Sequence, residues 1–450
     1  MTQPATERSE IVTAPVASAE FVAHRAREAS RAVAKLSADT RNAVLMAAAA
    51  ALETNIERIL AANELDCRAA EPAVASGKMS SAMLARLRVS ERGVRQMAAQ
   101  VREVARLEDP LGRRLAATEL DEGLVLYKES CPLGVIGVVF ESRPDVVPQL
   151  ASLALKSGNA VILKGGSEAD HSNDALVSIW RESLVKFPEV PLDSISLLHT
   201  RTDVLELLKA DRDVDLIIPR GSYELVHFIM KNSRIPVLGH GAGICHVYVD
   251  RAADKRKAVA ITYDAKVQYP AVCNAAETLL VDEAIAADFL PVIVRKLKEA
   301  KVEIRACPKT LRLLPAENLV PATEEDWATE YSDLILSVKI VRDLDEAIDH
   351  INRYGSHHTD AIVTEDPDAA RRFMNEVDSA GVFHNASTRF ADGFRYGFGA
   401  EVGISNGKLH ARGPMGLEGL TTYKYKLIGQ GHTVAEYSKG EKQFKHRRLQ

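Results

Sequence analysis

Cysteines stand at 67, 131, 245, 273 and 307, and the setting of Cys273 is one in which a thiol can do chemistry. It lies in VQYPAVCNAAET (267–278), a proline-marked loop between an expected helix and an expected strand. Asn274 follows it, and its backbone N–H and side-chain amide are donors for a developing negative charge. A helix starting at 274 would also favour the nucleophilic thiolate. The other four have bland explanations. Cys67 falls in a helical segment, Cys131 before a proline at a strand start, Cys245 beside a strand and Cys307 where polar residues give way to apolar ones. A free cysteine is a small hydrophobe, so simple burial explains Cys273 as well as catalysis does. No pair forms a CxxC and the count is odd. That argues against a disulfide scaffold or a zinc site, and fits a reducing cytoplasm.

Two further segments carry residues suited to a phosphate or a ribose. In ILKGGSEAD (162–170) an apolar strand delivers Lys164 at its end, Gly165 and Gly166 allow a tight turn, and Ser167 and Glu168 open a helix. The lysine can meet a phosphate or a ribose hydroxyl, and Glu168 can accept from a hydroxyl. In IIPRGSYE (217–224) Arg220, Gly221 and Ser222 stand between a strand and a helix start. Ser222 can cap that helix, and free N–H groups there suit a pyrophosphate. Both segments are equally served by ordinary turn and capping roles. The glycine fingerprint GxGxxG is missing.

The elements that must hold these loops alternate. Residues 17–104 read as helix, broken near Gly77 and restarted near Ser80, and Asp109-Pro110 end the block. A β-hairpin is expected at 117–130, turning at Asp121-Glu122-Gly123. Apolar strands at 133–140, 159–164, 194–199, 214–219 and 235–239 then alternate with helices at 147–158, 172–186, 204–210 and 222–232. A second such unit follows, with strands at 246–250, 277–281, 334–340, 360–364 and 381–385. Its helices fall near 251–264, 284–299, 343–353 and 366–378. The pattern predicts an α/β fold with two parallel-sheet domains, strand C-terminal loops gathering at one edge. LTTYKYKLI (420–428) reads as a strand that pairs with the hairpin or with another subunit. Residues 437–450 read as a loose basic tail, and 1–16 as frayed.

The 450 residues, 46% of them hydrophobic, suffice for two or three cores, and a net charge of -5 excludes the usual basic nucleic-acid binder. The N-terminus has no apolar signal region, and no apolar run is long enough for a membrane span.

Longer segments resemble the aldehyde dehydrogenase superfamily. They are PLGVIGVVFESRPDVV (132–147), SGNAVILKGGSEA (157–169), IIPRGS (217–222), PVLGHGAGICHVYVD (236–250), DAKVQYPAVCNAAETLLV (264–281), GVFHNASTRFADGFRYGFGAEVGIS (381–405) and KLHARGPMGLEGLTTYKY (408–425). The similarity runs in order over roughly 20–436 and is closest to the branch that reduces an acyl phosphate of glutamate. It implies an NADP-binding domain over 1–240, a catalytic cysteine domain over 241–412, and a return segment over 413–450 that completes a small β oligomerisation flap. The resemblance makes Cys273 the nucleophile and Lys164 a cofactor contact. Two departures matter. Where oxidising members carry a glutamate that activates water, this chain reads VLGHGAG (237–243), with no carboxylate. Where the superfamily carries an oxyanion asparagine, it reads FESRPDVV (140–147), leaving Asn274 or backbone N–H groups for that task.

The implied reaction is NADPH-dependent reduction of L-glutamyl 5-phosphate to L-glutamate 5-semialdehyde and phosphate, through a thioester, as the second step of proline biosynthesis. Substrate anions are expected at Ser142, Arg143, Arg389, His410 and Arg412, whose guanidinium forks match carboxylate and phosphate, and the substrate ammonium at Glu401. Lys164 and His171 are candidates for the cofactor 2′-phosphate. The expected partners are copies of the chain, as a dimer or tetramer, and functionally a glutamate 5-kinase. No metal, nucleic acid or membrane is expected. The rivals are an oxidising aldehyde dehydrogenase with another substrate and an inactive relative that acts as an interaction protein.

Overall fold

The computed structural model describes residues 18–239 and 241–449, so the expectation for 1–16 lies outside the described residues. The helical block is Ala19–Val33, Ala38–Thr54, Ile56–Ala75, Ser81–Leu87 and Glu91–Arg106. Serines begin four of these helices: Ser18, Ser37, Ser80 and Ser90 each accept a backbone N–H of the first turn. That satisfies a donor which helix geometry leaves orphaned. Helices Ala38–Thr54 and Glu91–Arg106 join one core with a parallel four-stranded sheet, through residues such as Leu45, Leu52, Val101, Leu150, Leu163 and Trp180, while Ala19, Ala23 and Ala26 pack in a separate cluster with Val135, Val139 and Ile162 of that sheet. The order of that sheet is Ile195–Leu198, Ala160–Lys164, Val135–Phe140, Leu216–Arg220. Its strands are short, apolar and nearly all buried, as a sheet covered on both faces requires.

The second sheet has seven strands, all parallel, in the order Val320–Pro321, Glu303–Ala306, Ile335–Val341, Ala276–Asp282, Cys245–Val249, Thr359–Val363, Gly381–His384. The strand expected at 235–239 is reduced to a single bridge from Val237 to Ile217. Pro236 supplies only its carbonyl, to Ile217 N–H, since a proline donates nothing to a ladder. Strands Glu303–Ala306 and Val320–Pro321 were not expected; four and two residues are too few to show a period.

A third, antiparallel sheet stands apart, in the order Thr421–Ile428, Leu124–Pro132, Arg114–Asp121, Arg447–Leu449. Its hairpin turns at Gly123, whose φ of +72° is a region side chains rarely adopt. The C-terminal strand pairs with the hairpin along its full length, as one of the two expected partners. The tail is not loose. Arg447–Leu449 adds a fourth strand, because its cations meet the acidic hairpin: Arg447 with Glu119 at 2.6 Å and Lys445 with Asp121 at 3.3 Å. Tyr437 stacks on Phe444 and donates its hydroxyl to Asp121. No helix among the described residues is long and apolar enough to cross a membrane.

Candidate active site

Loops at the C-terminal edge of the four-stranded sheet face loops at the N-terminal edge of the seven-stranded sheet. Between them lies a cavity of about 560 Å³. Glu141, Ser142 and Arg143 reach it after strand Val135–Phe140, and Arg220, Gly221 and Ser222 close strand Leu216–Arg220. These two strands are neighbours where the order of the small sheet reverses, the place where open α/β sheets take ligands. From the other side come Cys273 and Asn274, before strand Ala276–Asp282, and Glu330 and Ser332, before strand Ile335–Val341. Arg389 and Glu401 complete the wall.

Cys273 is partly accessible from the cavity. Burial pushes its thiol up to about 12, helped by the carboxylates of Glu330 and Glu401 and opposed by the Arg220 guanidinium. Its backbone is braced from behind. The Cys245 thiol donates to the Cys273 carbonyl at 3.3 Å, and Gly243 packs so closely that a Cβ there would lie 2.4 Å from the Cys273 Cα. Asn274 is buried and gives its side-chain amide to the Ala391 carbonyl at 2.8 Å. That bond uses one of the two amide protons and holds the loop down.

Arg220 was expected among cofactor contacts. Its guanidinium shares the cavity with Cys273 as well as with Gly221 and Ser222, and donates to the Val402 carbonyl. Arg389, also buried, spends Nε and Nη2 on Gln268 Oε1 at 3.0 and 2.9 Å. Glu401 accepts the Gly393 N–H at 2.8 Å, and burial raises its carboxyl above the usual range. Arg143 pairs with Asp145 at the rim. Ser142 is buried at φ +43° and gives both N–H and hydroxyl to Glu168 Oε1, at 2.7 and 2.6 Å. The glutamate read as a ribose acceptor and the serine read as a substrate contact therefore bind each other.

His410 and Arg412 are corrected. They line a separate cavity of about 510 Å³ with Arg113 and Phe398, which shares the buried Met415 with the first cavity. His410 meets the Gly419 carbonyl, and Arg412 pairs with Asp378.

The cofactor loops keep their strand-end positions. Lys164 is buried with Nζ on the Gly165 carbonyl at 2.6 Å. Gly165 and Gly166 are crowded, and a Cβ would meet Asn173 or Glu168 at 2.1 Å. Ser167–Ala169 forms one tight turn into helix Asp170–Leu184. His171 is held by Asp66 from another helix at 2.9 Å. Ser222 caps helix Tyr223–Asn232, and its N–H donates to the Glu141 carboxylate at 2.7 Å. The Glu141 side chain of this chain thus occupies one backbone donor of that turn. A side chain in place of Gly221 would put a Cβ 2.3 Å from that carboxylate. The residues present therefore fit a dinucleotide, whose pyrophosphate such a helix start accepts.

A parallel-sheet unit with a turn that opens a helix, set against a second unit that offers a braced thiol, is the construction of an aldehyde dehydrogenase. The aldehyde dehydrogenase family model matches residues 1–310. A gamma-glutamyl phosphate reductase from Synechococcus sp. (strain JA-2-3B'a(2-13)) is 56% identical over 423 residues, 94% of this chain and 92% of that one. One from Methanococcoides burtonii is 52% identical over 416 residues, 92% of this chain and 93% of that one. The crystal structure of the enzyme from Thermotoga maritima superposes with a TM-score of 0.89 at 41% identity, covering 93% of this chain and 100% of that one. The chain belongs to the aldehyde dehydrogenase family and, within it, to the gamma-glutamyl phosphate reductases.

Groups in the cavity, and others packed behind the nucleophile, were missed by sequence reasoning. Glu330 sits in ATEYSD, which reads as surface, and Gly243 and Cys245 sit in GAGIC, which reads as a turn. The stretch 237–243 lacks a carboxylate, but Glu330 and Glu401 bring carboxylates near the thiol from elsewhere.

Proposed function

We propose that this chain reduces L-glutamyl 5-phosphate to L-glutamate 5-semialdehyde and phosphate with NADPH, by way of a thioester on Cys273, as the second step of proline synthesis. The observation that carries this reading is the braced thiol in a cavity shared with Arg220, Arg143 and Arg389, in a chain of this family. Arg220 and Arg143 draw the acyl phosphate toward the thiol, since guanidinium forks match phosphate oxygens. The Cys273 thiolate attacks the acyl carbon, the bond to the phosphate oxygen breaks, and phosphate leaves with the electron pair. Backbone N–H groups of the 272–275 turn face the oxyanion; Asn274 keeps that turn in place through Ala391. Lys164, Gly165, Gly166, Ser167, Glu168, Gly221 and Ser222 hold the cofactor, with Glu141 yielding its place on Ser222. When bound, the reduced nicotinamide supplies hydride. The thiohemiacetal then expels the Cys273 thiolate and the aldehyde leaves. Arg389 takes the substrate carboxylate and Glu401 its ammonium.

Glu330 and Glu401 beside the thiol support a second reading, an oxidising aldehyde dehydrogenase in which a carboxylate activates water. Run in reverse, the two reactions differ in their acyl acceptor. NADP⁺ reduction by glutamate semialdehyde, followed at 340 nm, is expected only with inorganic phosphate present. Equal rates without phosphate would overturn the thioester-to-phosphate reading in favour of hydrolysis.

The reading includes a homo-oligomer, a dimer or tetramer, built through the strand Thr421–Ile428, whose outer edge no other strand among the described residues covers. Tyr425, Leu427 and Ile428 are exposed on it, and an apolar uncapped edge is a pairing surface. Leu427→Lys is expected to yield a smaller species in light scattering with unchanged circular dichroism; an assembly of unchanged mass would count against this edge. An acyl phosphate is labile, so supply from a glutamate 5-kinase close at hand fits the same chemistry. The five free thiols suit a cytoplasmic setting.

A further inference from the structure

Two charges are entirely buried beneath the nucleophile loop. Lys266 ends helix Lys255–Val267 and Glu277 begins strand Ala276–Asp282, so they flank the loop that carries Cys273. Both are fully inaccessible, and Nζ meets Oε2 at 2.5 Å. Glu277 has a second partner: its Oε1 accepts the backbone N–H of Ser332 at 3.2 Å. Ser332 stands at φ +51°, a strained position that something must hold, and Ser332 and Glu330 line the cavity on the same side as Cys273. Tyr331, between them, lies over the Lys266 ammonium and bonds Asp326 and Ser337. A buried pair of this kind is a poor source of stability, because desolvation offsets the attraction and apolar residues of the same volume do as well. Neither charge reaches the cavity, so neither touches a reactant.

We infer that Lys266 and Glu277 form a clamp that sets the distance between the Cys273 loop and the 330–332 wall. One carboxylate oxygen ties the two ends of the nucleophile loop together through Lys266. The other ties that loop to the neighbouring 330–332 wall through Ser332. The two are positioning residues, and they act through the placement of the sulfur. They leave substrate affinity to the arginines across the cavity. The inference rests on Cys273 being the nucleophile.

The test compares wild type, E277Q and the double variant K266M/E277Q in the phosphate-dependent reaction, with thermal melting alongside. E277Q strands a buried ammonium and is expected to melt lower. The double variant removes both charges at nearly constant volume and is expected to melt close to wild type. If the pair positions the thiol, kcat falls in both by about a hundredfold, the scale of a misplacement of about 1 Å, while both KM values stay within about twofold. A double variant with wild-type melting and wild-type kcat overturns the clamp. So does a loss confined to KM, or an activity loss in E277Q that the double variant restores together with its melting temperature. Failure of the thioester reading looks different, because C273A would then keep activity whatever the clamp variants do.

Discussion

Cys273→Ala is expected to abolish phosphate-dependent NADP⁺ reduction by glutamate semialdehyde while leaving the fold and the assembly intact. Removing a covalent nucleophile costs on the order of a millionfold in kcat where it has been measured, below the detection limit of an absorbance assay. The side chain is small and only partly buried, so its loss opens little cavity and the melting temperature stays near that of wild type. The thiol itself makes a finer prediction. Burial, Glu330 and Glu401 push it up to about 12, and Arg220 pulls it down. The free protein therefore carries mostly thiol at neutral pH. Iodoacetamide alkylation of Cys273, followed by mass spectrometry, is expected to rise about tenfold per pH unit above pH 7 without levelling near 8.5, the ordinary thiol value. Glu330→Gln removes a raising charge and speeds alkylation at pH 8; Arg220→Met removes a lowering one and slows it. Activity surviving in C273A would end the covalent mechanism. An alkylation limb that levels near 8.5 would show that the carboxylates do not act on the thiol.

How much of this could be read beforehand divides along the range of the forces involved. The helical block, the hairpin and most of the strands of both parallel sheets are legible because burial imposes a local period, and Ser80, Gly123 and Ser222 mark their ends by capping or turn chemistry. Lys164 and the Arg220 turn fall at strand C-terminal ends, as the pattern demanded, whereas Cys273 stands before the N-terminal end of strand Ala276–Asp282. Which cavity a charge faces is another matter. Arg220 and Arg412 both look like anion binders, and only the packed chain shows that Arg412 is matched to Asp378 while Arg220 lies beside the thiol. The tail looked loose because its own residues say only that it is basic; the carboxylates that order it lie more than 300 residues earlier. The thiol's surroundings come from four separate stretches of chain, near 220, 243, 330 and 401, none of which carries a local sign of the others.

Gly243→Ala is the expected loss that depends most on this distant packing. A Cβ at 243 would stand 2.2 Å from the Cys273 carbonyl oxygen, 2.4 Å from its Cα and 2.5 Å from its Cβ. Two of these three atoms are backbone, so the clash cannot be relieved by turning a side chain. One of the two segments has to move. Residues 244 and 245 are pinned: Ile244 N–H donates to Ser356 Oγ at 2.8 Å, and Cys245 opens a central strand of the seven-stranded sheet. The Cys273 loop is the softer partner, so the nucleophile is the group that shifts. A displacement of about 1 Å is worth about a hundredfold in rate, and kcat of Gly243→Ala is expected to fall at least that far, with circular dichroism unchanged. The contact between the Cys245 thiol and the Cys273 carbonyl breaks in the same movement. Gly407→Ala serves as the comparison, because its Cβ would find only Ser405 Oγ at 3.6 Å, an ordinary contact, and its activity is expected to match wild type. Wild-type kcat in Gly243→Ala would mean that the thiol does not depend on the brace behind it.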